Sequence, residues 1–310
     1  MENVVHVEVN GRGVKSDDIA REIVDLIAKA ALRDGKVAIS YMRYGDDPAR
    51  VGIPMKAFAT ISSDWESIEG EVARYNPDRV HVSFILDPTL SRGMECWAHM
   101  GRRSVLEKVL PGGLVIANTA MAPGDYLRYL PRTDSEYVLV TVDGGGLERP
   151  SVLTLLGALA AESTAVSEKA LQETLGEKYK DLGRFLGAKR ALKRMEVPAG
   201  RGGGAVYPSP PPLPGASEMP IGVKVPAVPV GGRNPDFKTG SSRTNRPVLD
   251  RDRCIRCRTC WIFCPDAAID FDEGGYPSFD LDYCTGCGIC ADTCPVEAVG
   301  SLFELEAEVK

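Results

Sequence analysis

The chain of 310 residues contains only three histidines. His6 and His81 each sit within an apolar, strand-like run and read as structural. His99 lies one helical turn from Cys96, and a lone pair of that kind is no metal site. Cys96 reads as a small buried hydrophobe. Gly-x-Ser-x-Gly, His-Glu-x-x-His and Walker motifs are all missing, so hydrolytic and nucleotide-driven chemistry has no support. Positive charge is not in excess: the formal net charge is −6, which argues against a nucleic-acid partner. No apolar run reaches membrane-spanning length, and no basic-then-apolar leader opens the chain. These absences predict a cytoplasmic protein with neither membrane nor nucleic acid as partner. The 44% hydrophobic content supports packed cores, and the length predicts two domains or more.

Cysteine is where the chain is rich. Eight of nine lie in two copies of Cys-x-x-Cys-x-x-Cys-x-x-x-Cys-Pro. Cys254, Cys257, Cys260 and Cys264 precede Pro265; Cys284, Cys287, Cys290 and Cys294 precede Pro295. This is the run of bacterial two-cluster ferredoxins. Two-residue gaps let three thiolates of a tight loop converge on one face of a 4Fe-4S cube, and the fourth arrives from the other copy. The expected ligand sets are therefore Cys254, Cys257, Cys260 and Cys294 for cluster 1, and Cys284, Cys287, Cys290 and Cys264 for cluster 2. Structural zinc sites use pairs of Cys-x-x-Cys with longer spacers, and disulfides suit small secreted chains. Free thiols for cluster assembly also favour a reducing cytoplasm. Between the copies, Ala268–Phe271 and Tyr276–Phe279 flank Glu273-Gly274-Gly275 and predict a β-hairpin.

The two copies differ in their surroundings. Thr285, Gly286, Gly288 and Ala291 are small and let backbone amides approach a cluster; Arg256, Arg258 and Trp261 are bulkier and basic. Different potentials follow. From Val248 onward there are 13 acidic and 5 basic residues, against 30 and 32 in the remainder.

Residues 1–195 read as one α/β layered domain. Strands are predicted at Val4–Val9, Lys36–Ser40, Ala57–Ile61, Val80–Ile85, Leu114–Ala117 and Tyr137–Val142. Helices are predicted from Ser16, a candidate N-cap, to Gly35, and over 66–75, 91–109, 151–163 and 167–194. Strand–helix alternation implies a sheet covered by helices. Residues 198–247 hold 11 of the 22 prolines and the Gly200–Gly204 stretch, an extended Pro/Gly-rich connection. Gly11-Arg12-Gly13 occupies the place of a dinucleotide loop. However, Ser16 replaces the third glycine, and no acidic residue ends the second strand. A tight strand-to-helix turn needing glycine for its backbone angles is the simpler reading. An NAD-linked reductase stays open as a third-ranked alternative.

With these residues in view, the chain resembles the gamma and delta subunits of 2-oxoacid:ferredoxin oxidoreductases, fused in that order. The delta-like part covers roughly 217–310. It includes Met219-Pro220-Ile221-Gly222, Phe237-Lys238-Thr239-Gly240 and Arg243-x-x-Arg246-Pro247 before the cysteine runs. The resemblance divides the chain into a gamma-like domain (1–195), a fusion linker (196–214), a delta-type arm (215–247) and a two-cluster ferredoxin domain (248–310). The gamma-like motifs are eroded. The family's "GRGGQG" loop, suited to coenzyme A or an anion, reads Gly11-Arg12-Gly13-Val14-Lys15-Ser16 here. Its "YGPExRGG" segment keeps Gly45, Arg50 and Gly52, and its "LGAL" helix matches Leu155–Ala160 without the Asn. Gly11, Arg12, Gly13 and Arg50 are the cofactor-binding candidates implied, near a partner's active site.

The resemblance implies a subunit without catalytic residues of its own. Thiamine diphosphate and Mg would sit in alpha and beta partner subunits, in a dimer of heterotrimers, with soluble ferredoxin as electron acceptor. The loss of the coenzyme A loop is similar to what a member oxidising oxalate would show, since oxalate has no acyl group to transfer. A stand-alone ferredoxin-fused redox or binding protein is the runner-up.

Overall fold

The computed structural model describes residues 4–44, 52–72, 77–93, 104–147, 149–203, 238–240 and 243–307. They fall into two compact units, one reaching residue 203 and one starting at residue 238. Arg50, Cys96, His99, Met219–Gly222 and Phe237 lie outside the described residues, as does most of the expected connection.

The first unit is a seven-stranded mixed sheet. Its elements in chain order are β1 (Val4–Arg12), α1 (Asp17–Arg33), β2 (Val37–Tyr44), β3 (Pro54–Ser62), α2 (Trp65–Val72), β4 (Val80–Ile85), β5 (Val109–Asn118), α3 (Pro123–Tyr126), β6 (Tyr137–Val142), α4 (Val152–Glu162), α5 (Glu168–Gly176), α6 (Gly183–Ala191) and β7 (Lys193–Val197). The strand order is β2-β3-β1-β4-β5-β6-β7. β1, β4, β5 and β6 run parallel, while β2, β3 and β7 pair antiparallel.

Periodicity explains the layers. In α1, Ala20, Ile23, Val24, Ile27, Ala30 and Ala31 are all buried, the 3.6-residue stripe of a helix lying on a sheet. Asp17 and Asp18 in its first turn and Arg33 in its last complement the helix dipole. Val7 and Val9 of β1 enter the same core as α1, α4 and α5. The alternate residues His6, Glu8, Asn10 and Arg12 are buried too, on the opposite face of the strand. There Asn10 Nδ2 donates to Glu8 at 2.9 Å and to Ser83 Oγ at 3.0 Å, and Lys56 pairs with Glu8 at 2.7 Å. The His6 backbone N–H donates to His81 Nδ1 at 3.1 Å. Both histidines thus brace adjacent strands.

Three expectations change. Ser16 stands at the N-cap of α1 but makes no side-chain cap; its hydroxyl instead accepts the Arg12 N–H at 2.9 Å. The helix over 91–109 does not form in the described part. Pro88–Arg92 is a single 3-10 turn opened by Asp87, and β5 starts at Val109. The Ser104 hydroxyl accepts the Leu106 N–H at 2.9 Å, a side chain competing with helical pairing. The helix over 167–194 breaks in two. α5 ends at Gly176, Asp181 accepts the Gly183 N–H at 2.8 Å, and Lys193–Val197 becomes an edge strand on β6. A bare sheet edge outcompetes helix propensity there.

The second unit has β8 (Asn245–Leu249), α7 (Thr259–Ile262), β9 (Ile269–Phe271), β10 (Pro277–Phe279), α8 (Ile289–Asp292), β11 (Val299–Phe303) and α9 (Glu304–Ala307). β9 and β10 form the expected hairpin, and β8 pairs antiparallel with β11.

Candidate metal centre

The two cysteine copies share a backbone, residue for residue, at an offset of thirty. Arg256 (φ 56°) matches Gly286 (φ 71°), Arg258 (φ 62°) matches Gly288 (φ 83°), and Ala267 (φ 49°) matches Glu297 (φ 49°). Left-handed residues turn the loop so that successive cysteines face inward before α7 or α8 begins. After each fourth cysteine the chain returns an N–H to its sulfur. Ala268 donates to Cys264 Sγ at 3.4 Å and Ala298 to Cys294 Sγ at 3.1 Å. Such N–H···S bonds orient a thiolate and stabilise its charge.

Cys264 of the first copy lines one cavity with Cys284, Cys287 and Cys290 of the second. Gly286, Gly288, Ala291 and Ala268 are among the walls of this cavity. Among the described residues, no three His, Cys, Asp or Glu side chains converge tightly enough for a single metal ion. Four thiols spread around a hollow suit a polynuclear sulfide cluster better than zinc, whose ligands meet at about 2.3 Å from one point. Burial pushes up the thiols of Cys284, Cys287 and Cys290, the last to about 12, with neighbouring cysteine charges adding to it. Cysteine thiols release their protons on binding metal.

In the first copy, Cys254 and Cys257 lie near Cys260, whose thiol is raised first by burial and then by their charges. Cys257 is exposed and goes the other way: hydrogen bonds from the Thr259 hydroxyl and backbone hold its thiol below the usual range. The hydroxyl reaches its sulfur at 3.3 Å. Ile255, Trp261, Ile262 and Phe263 around this copy are exposed by 51–66%. The Arg256 and Arg258 guanidiniums lie over the Tyr276 and Phe271 rings, 5.4 and 5.1 Å from the centroids.

Residues 247–300 match the family model of the 4Fe-4S dicluster domain. The pyruvate synthase subunit PorD of Methanocaldococcus jannaschii is 55% identical over 38 residues, 12% of this chain and 44% of that protein. The PorD of Thermotoga maritima is 43% identical over 58 residues, 19% of this chain and 54% of that one. The chain thus spans about half or less of the length of these PorD relatives. The N-terminal part is similar to the pyruvate/ketoisovalerate oxidoreductases common subunit gamma of Thermococcus kodakarensis, 27% identical over 198 residues, 63% of this chain and 95% of that protein. Two stretches of the chain are thus similar to two different subunits, gamma and PorD, of such oxidoreductases. Among solved structures, pyruvate oxidoreductase subunit PORC of Thermotoga maritima is 19% identical, covering 62% of this chain and 98% of its own, with a TM-score of 0.46.

In the first unit the glycine loop turns inward. Gly11 and Arg12 belong to β1, and the left-handed residue is Val14 (φ 64°) rather than either glycine. Gly11 sits against its neighbours: a Cβ there would lie 2.7 Å from Ser16 Oγ, and that side chain would have to shift. Arg12 is 1% exposed. Its Nε donates to Asp87 at 2.7 Å, Nη1 to the Gly52 carbonyl at 2.9 Å and Nη2 to Thr89 Oγ1 at 2.7 Å. Burial alone would raise the Asp87 carboxyl. The Arg12 charge and the Thr89 hydrogen bonds outweigh burial and hold the carboxyl below the usual range. Gly13 exchanges backbone hydrogen bonds with Gly52 and Ile53 at 3.1 and 2.7 Å.

Several contributors to the metal centre carried no role in the sequence reading. Asp266 accepts from Thr285 N–H at 3.1 Å and Oγ1 at 2.7 Å, holding the second copy's loop. Lys238 pairs with Asp282 at 2.6 Å, and Thr239 donates its hydroxyl to the Tyr283 carbonyl. The Gly240 N–H donates to the Asp282 carbonyl at 2.8 Å. The Lys238-Thr239-Gly240 and Arg243-x-x-Arg246 motifs were the signal for these contacts. Glu304, their deepest partner, had none.

Proposed function

We propose that this chain is a fused gamma–delta electron-transfer subunit of a thiamine-diphosphate-dependent oxidoreductase, holding two 4Fe-4S clusters. The observation that carries it is the cavity shared by Cys264, Cys284, Cys287 and Cys290, which is the exchanged ligand set expected for cluster 2. By the thirty-residue symmetry, Cys254, Cys257, Cys260 and Cys294 take cluster 1. A cluster of this type, when bound, takes up and gives back single electrons. The residues of this chain present the thiols, aim the Ala268 and Ala298 amides at sulfur, and line the hollow with small or apolar groups that limit water.

In this reading the decarboxylation belongs to alpha and beta chains carrying thiamine diphosphate and Mg, within a dimer of heterotrimers. Electrons pass through the two clusters to a soluble ferredoxin in the cytoplasm. The buried Arg12–Asp87 pair bears on the substrate. An arginine bonded on three sides inside the fold is not presented to coenzyme A. That favours a reaction needing no acyl acceptor, oxalate oxidation, over a pyruvate-type one. Arg50 keeps its place as a candidate beside the partner's site.

Two measurements test the reading. The natively purified complex is expected to reduce ferredoxin with oxalate in the absence of coenzyme A; strict coenzyme A dependence with pyruvate would sink the substrate assignment. For the ligand sets, Cys294→Ala is expected to damage the cluster held by the first run. Loss of the second-run cluster alone would contradict the exchange.

A further inference from the structure

The deepest charges of the second unit lie beside the cavity. Arg243 is 1% exposed and Glu304 is 0% exposed. The Arg243 guanidinium grips the Glu304 carboxylate at two points, Nε at 2.6 Å and Nη2 at 2.7 Å. Its remaining nitrogen, Nη1, donates to the Leu281 carbonyl at 2.6 Å and to the Cys284 carbonyl at 2.9 Å. Arg246 joins the same carboxylate, Nη2 at 2.6 Å and Nε at 3.3 Å. The packing is tight: a Cβ on Gly286 would lie 2.6 Å from Arg243 Cγ.

What separates this group from a plain structural ion pair is its address. Arg243 is bonded to the carbonyl of a cysteine that lines the cavity, and a charge in that position acts through a low local dielectric. Net charge and hydrogen bonding near the sulfurs are what set the potential of a cluster.

We propose that Arg243 is a positioning residue that fixes Cys284 and raises the potential of the cluster in the adjoining cavity, with Glu304 and Arg246 setting how much of its charge is felt. This rests on the reading that the cavity holds a cluster. Reduction adds a negative charge to the site, and a nearby cation stabilises the reduced form. Arg243→Met removes one positive charge from the group. Glu304→Gln removes its negative charge. The two changes therefore push the potential in opposite directions, whereas simple loosening of the fold has no reason to.

The test is an EPR-monitored redox titration of the reconstituted full chain, with iron content measured on each variant. Arg243→Met is expected to lower the midpoint of the second-run cluster. The expected size is about a tenfold change in the reduced-to-oxidised ratio at fixed poise, which is about 59 mV for a one-electron couple. Glu304→Gln is expected to raise it, and Arg246→Met to lower it by less, its guanidinium being the more exposed. If Arg243→Met does not hold its iron, the opposite shifts of Glu304→Gln and Arg246→Met decide. Clusters present at full iron content with unmoved midpoints, or midpoints moving in the same direction, would overturn the proposal. Absence of iron–sulfur signal from the wild-type cavity would instead overturn the proposed function.

Discussion

The first and second cysteine copies share one backbone but opposite surroundings. The second copy uses glycine at two of its three left-handed positions, Gly286 and Gly288, where the first uses Arg256 and Arg258. At Gly286 there is no choice: a Cβ would meet the Asn245 carbonyl at 2.5 Å and Arg243 Cγ at 2.6 Å. Among the described residues, no arm segment packs on the first copy in that way. Its arginines accept a left-handed strain of about 1–2 kcal/mol each and lay their charges over Tyr276 and Phe271. The duplication therefore kept the geometry of the cysteine loops and diverged in what covers them. The second copy is closed over by the Lys238–Gly240 and Arg243 segments. The first copy is left with an apolar, cationic exterior.

The strongest way to break this comparison is at matched positions. Gly286→Ala is expected to destabilise the second unit by at least about 3 kcal/mol, since strain at φ 71° adds to a backbone clash, and to abolish the second-run cluster. Arg256→Ala, thirty residues earlier, is expected to change stability by about 1 kcal/mol or less. Equal losses of iron in the two variants would show that the copies are not asymmetric in this sense.

Asp87→Asn locates the effect within the chain. It leaves Arg12 buried without its counter-charge, at an expected cost of about 3 kcal/mol or more, while iron content and visible spectrum stay unchanged. The Asp87 carboxyl is held below its ordinary value. Its contribution is therefore full above the unfolded-state pKa of about 3.9 and lost as pH falls through the lower folded value. Thermal melts from neutral pH down to about pH 3 are expected to show that acid-side loss in wild type and its absence in Asp87→Asn. A parallel decline of the two proteins would refute it.

Chelation probes the covering directly. Cys257 is exposed, with a thiol held low, among exposed neighbours. The first-run cluster is expected to be stripped several-fold faster by an iron chelator, read from the decay of the two EPR signals. The smallest expected effect is Arg258→Gly. Relief of left-handed strain is offset by glycine's extra unfolded-state freedom and by loss of the Phe271 contact, for a net gain of about 0.5 kcal/mol. A melting point lower than wild type would mean that the cation–π contact outweighs the strain.

Much of this was legible from residue order because it is local. β4 and β6 fall where their β-branched runs place them, and α4 falls within a residue of its expected span. The hairpin between the copies follows its Gly turn. The spacing of the cysteines encodes the loop geometry within a dozen residues. The misreadings arose where a distant partner decides. Ser16 looks like a cap until Arg12 claims its hydroxyl. Lys193–Val197 looks helical until the open edge of β6 is in place. Gly11 looks like a glycine chosen for its backbone angle, yet its Cβ space is filled by Ser16 and Met55.

The sequence by itself determined the cysteine pattern, its two-fold repeat and the α/β character of the N-terminal part, because spacing and periodicity are short-range properties of a chain. The spacing also pointed to an exchange of fourth cysteines, and only the tertiary structure supplies the walls around them. Cys264 shares a cavity with residues twenty and more positions away. It also decided that Arg12 turns into the fold and that Arg243 closes on Glu304 sixty-one residues later. Those outcomes depend on burial, where a charge must find its partner wherever in the chain it lies, and no local pattern records that demand.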